Sequence, residues 1–254
     1  MKVRVLGCSG GIGGGARTTS LLVDEDILLD CGTGVGDLAF EELLRIDHVF
    51  LTHSHLDHIA LLPMLVDTVG DLREQPLIVH AAEDTLRILR AHIFNWLVWP
   101  DFTVIPDRIR PMLRMQPVEV GGIVHLGARR IQVLPALHSV PAVGYCLDCG
   151  GDKLAFSGDT TVCDKQVEAL NGLERLRYLL IEAALPDEHQ GLAHAARHLS
   201  PSMLHSVLDR LTGDPEIFVT HFKPGYAETL EHEVQAYQGR LRPQVLLNGQ
   251  CFHI

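Results

Sequence analysis

The sequence predicts an α/β fold with β-sheets in the middle and helices outside. Two observations predict it: short apolar runs alternate with Gly-rich or acidic turns, and other segments place apolar residues at helical spacing. No internal repeat, low-complexity tract or linker interrupts the 254 residues, of which 46% are hydrophobic and 21% charged. We therefore predict one compact domain over residues 1–254 with a substantial core.

The N-terminal half is predicted to contain five strands and two helices. Asp24-Glu25-Asp26 separates two apolar runs and is predicted to be a hairpin turn. Apolar residues three or four positions apart, such as Leu62 and Leu65, indicate helices. The predicted strands are Val3–Leu6, Ser20–Val23, Ile27–Leu29, His48–Thr52 and Leu77–His80, and the predicted helices are residues 59–71 and Ala82–Asn95.

The C-terminal half begins after a less regular segment, residues 96–114, and mixes strands with helices. Its strands are short apolar runs, several of which end in a polar residue. The predicted strands are Val118–Val120, Ile131–Ala136, Val143–Leu147, Lys153–Ser157, Tyr178–Ile181, Ile217–Thr220, Val245–Leu247 and Phe252–Ile254, and the predicted helices are residues 201–211 and 227–238.

Composition argues against several classes of protein. A net charge of −11 argues against nucleic acid as a partner, since phosphate binding needs basic patches. No apolar stretch could span a bilayer, and the N-terminus resembles a strand more than a signal peptide, so we expect a cytoplasmic protein without a membrane partner. The six cysteines lack the spacing of a disulfide framework, and Cys146 and Cys149 are best explained as strand cysteines.

The Gly-rich segment Gly7–Gly15 fits a loose dinucleotide-binding fingerprint. That fingerprint requires a following helix whose N-terminus meets the pyrophosphate. Here the next residues, Arg17–Val23, have the pattern of a strand. The glycines are therefore interpreted as a tight loop near the functional site.

The most informative feature is the hexapeptide 53–58, His-Ser-His-Leu-Asp-His, at the exit of a predicted strand. Four metal-binding side chains in six positions exceed what a single structural ion needs and favour two catalytic ions. His53 and His55 project to the same side and can share one ion. Asp57 and His58 lie where the next helix begins and can turn toward a second ion.

Each ion then lacks donors, and later strand ends offer them. His138, Asp159 and His221 each follow an apolar run of the sequence. A lone histidine after a strand is commonly only hydrogen-bonded or solvated, and a lone aspartate commonly forms an Asx-turn. Three such residues in combination with the hexapeptide form a pattern that core packing does not produce. We therefore predict seven metal ligands.

The order of these residues resembles the metallo-β-lactamase superfamily, and within it the class II cyclic-nucleotide phosphodiesterases. The resemblance extends over nearly the whole chain. It depends on Leu56 inside the hexapeptide, on the segment 93–102 with its Ile-Phe-Asn and Trp-Pro elements, and on three further motifs. These are Ile181-Glu182-Ala183, His198-Leu199-Ser200-Pro201 and Thr220-His221-Phe222-Lys223-Pro224. The resemblance implies a four-layer αββα sandwich.

The resemblance also implies a division of the ligands. Metal one would take His53, His55 and His138; metal two would take Asp57, His58 and His221; and Asp159 would bridge both. Imidazole and carboxylate donors suit zinc, although manganese or iron could occupy the same set.

The implied activity is hydrolysis of a small anionic phosphodiester, a 3′,5′-cyclic nucleotide such as cAMP, to its 5′-monophosphate. A hydroxide shared by the two ions would attack phosphorus. His198 would protonate the leaving 3′ oxygen and Glu182 would orient its ring. With the ligand Asp57, these two form the predicted catalytic set.

Several alternatives stay open at this point. A tRNA 3′-processing endonuclease (ribonuclease Z-like) shares the hexapeptide but usually has Gly where this chain has Leu56. A metal-bearing carrier without catalysis would keep the ligands, and thioester or lactam hydrolases share the fold. The aromatic residues of segment 94–102 could stack on a base, pack in the core, or form a homodimer interface.

Overall fold

The computed structural model describes residues 1–254 and contains two seven-stranded β-sheets. The strands of the first sheet are β1 (Lys2–Gly7), β2 (Ser20–Val23), β3 (Ile27–Leu29), β4 (His48–Phe50), β5 (Leu77–Ala81), β6 (Leu113–Pro117) and β14 (Cys251–His253). Their order across the sheet is β14-β1-β2-β3-β4-β5-β6. The acidic triplet at 24–26 closes the antiparallel β2–β3 hairpin, as predicted.

The strands of the second sheet are β7 (Ile123–Leu126), β8 (Arg129–Pro135), β9 (Val143–Asp148), β10 (Lys153–Phe156), β11 (Leu176–Glu182), β12 (Glu216–Thr220) and β13 (Pro243–Val245). Their order across the sheet is β13-β12-β11-β10-β9-β8-β7. Strands β10, β11, β12 and β13 run parallel to one another, whereas β7, β8 and β9 are joined as antiparallel neighbours.

Eight α-helices complete the fold. None of its helices is both long and apolar enough to cross a membrane. The helices are α1 (Phe40–Leu43), α2 (Leu56–Ile59), α3 (Leu62–Val69), α4 (Glu83–His92), α5 (Asp164–Asn171), α6 (Gln190–Ala196), α7 (Pro201–Leu208) and α8 (Ala227–Gln235).

Alternation of side chains along the strands divides the apolar residues among three layers. Leu21 and Leu180 face the other sheet, in a core cluster that both sheets share. Their neighbours Leu22 and Leu179 face outward, the first beneath α3 and α4 and the second beneath α5, α7 and α8. The order helix, sheet, sheet, helix follows, which confirms the predicted αββα sandwich.

Several elements differ from the sequence-based expectation. The strand predicted at Val118–Val120 is wrong, because strand β6 ends at Pro117. As the edge strand of its sheet, β6 exposes Arg114 and Gln116 and lacks the apolar pattern of a central strand. Helices α1, α5 and α6 and strand β7 were also not predicted; all four are short, and α5 is largely polar.

The sheets bring the predicted ligands to one edge of the molecule. Strand β4 runs parallel to β3 and β5 and leads into the hexapeptide. In the second sheet β10, β11 and β12 are parallel, and β8 points the same way because both β8 and β10 are antiparallel to β9. The residues after β8, β10 and β12 therefore lie at a common edge, and these include His138, Asp159 and His221.

The aromatic segment 94–102 lies at the other end of the first sheet. Helix α4 starts at the carboxyl end of β5 and runs back for ten residues, about 15 Å, before the segment begins. Phe94 and Phe102 are buried in the outer core beneath the helices, whereas Trp96 is 62% exposed. Core packing therefore accounts for Phe94 and Phe102.

Candidate metal centre

The hexapeptide follows β4 and continues into helix α2. His55 occupies the position before the first helical residue, so the chain turns sharply between His53 and His58. His53 and His58 are fully buried, whereas Leu56 between them is 68% exposed. The local geometry thus directs the histidines inward and leaves Leu56 at the surface of the site.

The seven predicted ligands fall into two groups. The first contains donors of His53, His55, His138 and Asp159, and the second contains donors of Asp57, His58 and His221. Within each group, one donor atom of every residue lies within 4.8 Å of the others. The structure therefore brings together all seven predicted residues, and the cluster is capable of binding metal.

A single carboxylate oxygen lies between the two groups. Asp159 Oδ2 is 3.7 Å from His53 Nε2 and 3.9 Å from His138 Nε2, both of the first group. It is also 3.3 Å from His58 Nε2 and 3.3 Å from His221 Nε2, both of the second group. This placement matches what a bridging carboxylate between two ions requires.

Several nitrogen atoms at the centre lack any hydrogen-bond partner. They are the Nε2 atoms of His53, His58 and His221, and all three residues are at most 1% exposed. A buried polar atom without a partner costs free energy, about 1–3 kcal/mol. Three such atoms converging on one carboxylate are explained if they are ligands to cations, so the residues present fit a dinuclear centre.

Most of these imidazoles are held in the neutral form that metal binding needs. Burial lowers the pKa of His138 to about 4 and that of His221 to about 3, and it lowers the pKa of His53 well below its usual value. For His58 burial also acts downward, but the Asp159 and Asp30 carboxylates outweigh it and raise the pKa.

In His53, His58 and His138 the other ring nitrogen, Nδ1, is hydrogen-bonded, and this contact fixes the direction in which Nε2 points. His58 Nδ1 meets Asp30 Oδ2 at 2.7 Å, and His53 Nδ1 meets Thr52 Oγ1 at 3.0 Å. His138 Nδ1 donates to the backbone carbonyl of Arg197 at 2.9 Å. Such contacts orient metal-binding imidazoles and raise their basicity.

Asp30 is the functional residue that the sequence interpretation missed. It is fully buried, and besides His58 it accepts the Thr52 backbone N–H at 2.7 Å and the Thr52 hydroxyl. It also adopts a left-handed backbone conformation (φ 58°). Its only sequence signal is a polar residue at the end of the apolar strand β3.

Asp30→Asn is expected to weaken metal binding about 10–100-fold, the usual cost of losing a partner of a ligating histidine. The amide keeps the side-chain volume but removes the charge that pairs with His58. Competition with a chromophoric chelator gives the affinity. An affinity within twofold of that of the unchanged protein would show that Asp30 has only a structural role.

The Gly-rich loop lies against the second group of ligands, as interpreted from the sequence. Gly10 is buried, and a β-carbon there would lie 2.5 Å from the His221 carbonyl oxygen and 3.1 Å from its Nε2 atom. His221 itself has a left-handed backbone (φ 70°), an uncommon conformation held in place by its surroundings. The absence of a side chain at Gly10 is thus required for the position of His221.

Gly10→Ala is expected to displace His221, to lower metal affinity at least tenfold, and to destabilise the fold by about 1–3 kcal/mol. Gly151→Ala is the matched control, because a β-carbon at Gly151 meets nothing within 4 Å. Metal titration and urea unfolding of both variants test this. Equal affinity in the two variants would contradict it.

His198 and Glu182 form a buried pair beside the metal cluster. His198 Nδ1 lies 2.8 Å from Glu182 Oε1, and Glu182 also accepts the backbone N–H groups of Thr160 and Leu199. One donor atom of His198 lies within 4.8 Å of donors of Asp159 and His221. Because Nδ1 is engaged by Glu182, the Nε2 atom is the one available for chemistry.

The charge state of this pair suits a proton donor. Burial lowers the pKa of His198, but the Glu182 and Asp159 carboxylates outweigh it and raise the pKa above its usual value. Burial raises the pKa of Glu182. Both shifts favour keeping a proton on the pair.

The fold and the ligand order match a known family. A family model described as the beta-lactamase superfamily domain matches residues 25–222. The chain belongs to the metallo-β-lactamase superfamily. The resemblance stated from the sequence motifs is thus confirmed.

Relatives in this superfamily bear two kinds of name. A probable 3′,5′-cyclic-nucleotide phosphodiesterase of Yersinia pestis is 26% identical over 72% of this chain and 59% of its own length. A 3′,5′-cyclic-nucleotide phosphodiesterase of Aliivibrio fischeri is 26% identical over 86% of this chain and 80% of its own length. A ribonuclease Z of Haloarcula marismortui is 30% identical over 58% of this chain and 47% of its own length. The match thus spans about half to three-fifths of the length of the first and third of these.

A solved structure supports the fold over its full extent. Unliganded yeast PDE1 superposes with a TM-score of 0.80, covers 98% of both chains and is 18% identical. At that identity the likeness shows the fold alone.

Proposed function

We propose that the protein is a dinuclear metal-dependent phosphodiesterase that hydrolyses a 3′,5′-cyclic nucleotide to the 5′-monophosphate. The observation that supports this most strongly is the position of Asp159 Oδ2, within 3.9 Å of imidazole nitrogens from both ligand groups. The phosphodiesterase names of two relatives add to it. Cyclic AMP is the specific substrate that we propose, and zinc is the proposed metal, because imidazole and carboxylate donors suit it.

The proposed roles of the residues follow from their contacts. His53, His55 and His138 would hold the first cation, Asp57, His58 and His221 would hold the second, and Asp159 would serve both. When bound, such cations would supply a hydroxide nucleophile and neutralise charge on the phosphoryl oxygens. The three second-nitrogen contacts to Asp30, Thr52 and Arg197 hold the ligands in place.

His198 completes the reaction as the general acid. Attack of hydroxide on phosphorus forms one P–O bond and breaks the bond to the 3′ oxygen, which leaves as an alkoxide and needs a proton. His198 Nε2 would supply that proton, while Glu182 accepts the Nδ1 hydrogen bond and stabilises the charged ring. A small substrate suits this arrangement because His198 is only 8% exposed.

A second candidate function is tRNA 3′ processing. It is favoured by the name of the Haloarcula relative, and it would use the same metal ligands. The net charge of −11 counts against it, since a large polyanion needs a basic surface. Leu56 in the hexapeptide also fits the phosphodiesterases better.

A panel of substrates tests the proposal. Zinc-loaded protein is incubated separately with cyclic AMP, a linear bis-aryl phosphodiester, precursor tRNA and a thioester. We expect turnover of cyclic AMP with the highest kcat/KM. Turnover of precursor tRNA but not of cyclic AMP would contradict the proposal, and no turnover with two ions bound would favour a carrier.

A further inference from the structure

A cavity of about 620 Å³ lies beside the Gly-rich loop, and we name it the loop cavity. Its walls come from the Gly-rich loop, from the residues around β12 and the start of α8, and from residues 245–248. Ser9 and Phe222 line it, and they are the chain neighbours of Gly10 and His221. Phe222 directly follows the predicted ligand His221, and a β-carbon on Gly10 would lie 3.1 Å from His221 Nε2, so the cavity wall continues from the backbone beside the second ligand group.

The lining of the loop cavity contains no charged side chain. Two of its residues, Ile12 and Leu247, are large aliphatics that are 72% and 62% exposed. They belong to different segments and would both lose water contact if a flat apolar group entered between them. Another large cavity, about 640 Å³, is lined by Arg73, Arg110 and acidic residues. Its lining is therefore charged, unlike that of the loop cavity.

The loop cavity also offers a small number of polar groups. The Asn248 side-chain oxygen accepts a hydrogen bond from the Cys8 thiol at 3.3 Å, which leaves its NH₂ group available as a donor. Gly13 and Gly14 have left-handed backbones, and nothing lies within 4 Å of where a β-carbon would be. An uncharged apolar cavity with one amide donor is typical of sites that bind neutral heterocycles.

We propose that the loop cavity binds the heterocyclic base of the nucleotide, while the phosphodiester lies on the metal centre. This inference rests on the proposed phosphodiesterase function for its choice of ligand. The volume exceeds what one base needs and falls in the range of small-molecule sites. An acyl chain would fill the same aliphatic walls but would leave the Asn248 amide without a purpose.

Equilibrium binding of adenosine tests the proposal, since adenosine has the base and ribose but no phosphate for the metals. We expect Leu247→Asp to weaken adenosine binding at least tenfold, because the carboxylate would be desolvated against the base. Leu72→Asp is the matched control, since Leu72 is 59% exposed and lies outside the cavity. Its adenosine affinity is expected to stay within twofold of that of the unchanged protein.

Each remaining outcome has a definite meaning. No adenosine binding to the unchanged protein, or equal binding to Leu247→Asp and Leu72→Asp, would overturn the proposal. Loss of binding of a butyryl thioester in Leu247→Asp, without adenosine binding, would assign the cavity to acyl chains instead. Adenosine binding that depends on Leu247 in a protein with no activity on cyclic AMP would preserve the base site and refute only the proposed reaction.

Discussion

Replacing Asp159 by asparagine is expected to reduce the bound metal from two ions to one or none, and to lower kcat by about 10³-fold or more. The amide is nearly isosteric, so the change removes charge without leaving a cavity. It leaves four imidazole nitrogens, each within 3.9 Å of the side-chain oxygen, without the carboxylate that joins them. Loss of a nucleophile generated by two ions costs several kcal/mol of barrier, and each 1.36 kcal/mol is about tenfold in rate.

Metal content by plasma mass spectrometry and initial rates on cyclic AMP measure this effect. Asp67→Asn is a suitable control, because Asp67 is an exposed residue of helix α3 that lies outside the metal cluster. The control is expected to bind two ions with unchanged rates. If Asp159→Asn retained two ions and activity within tenfold, the bridging role would be wrong.

Replacing His198 by alanine is expected to lower kcat about 10²–10⁴-fold, the range for loss of a general acid, while two ions stay bound. The metal measurement matters because one His198 donor lies within 4.8 Å of Asp159 and His221 donors. If the variant lost both one ion and its activity, His198 would be identified as a ligand instead of an acid. His194→Ala, at an exposed position of helix α6, is expected to have no effect on either quantity.

Glu182→Gln separates orientation from proton donation. The amide can still accept the Nδ1 hydrogen bond but cannot stabilise the charged ring, so a smaller loss than that of His198→Ala is expected. A substrate with an acidic phenol as leaving group needs less protonation, and on it both variants should recover most of their activity. Equal losses on alkyl and phenyl leaving groups would rule out the acid role of His198.

The sequence predicted which residues cluster, because the predicted ligands occupy recognisable positions. His138, Asp159 and His221 each follow an apolar run, and parallel strands bring their carboxyl ends to one edge. The hexapeptide places two further pairs of donors on a short turn. Residue type and strand direction together were therefore enough to assemble the cluster.

The supporting contacts could not be predicted in the same way. His138 is held by the backbone carbonyl of Arg197, and a carbonyl has no residue signature. Asp30 follows a three-residue strand and resembles an ordinary turn aspartate until its contact with His58 is known. Such partners are close in space but distant along the chain, so spacing does not reveal them.

The secondary structure was predicted best where strands are buried on both faces. Ser20–Val23 and Ile27–Leu29 are fully buried and were located at their observed bounds. The edge strand β6 was missed because one side of it meets water and its sequence is polar. A single domain over residues 1–254, a homodimer and a cytoplasmic location stay predictions.

The most direct test of the proposed function is a ³¹P NMR spectrum of cyclic AMP after incubation with the zinc-loaded protein. The proposal predicts that the cyclic phosphodiester signal is replaced by that of the 5′-monophosphate alone, and that a chelator prevents the change. An unchanged spectrum from protein that contains two ions, or a 3′-monophosphate product, would contradict it.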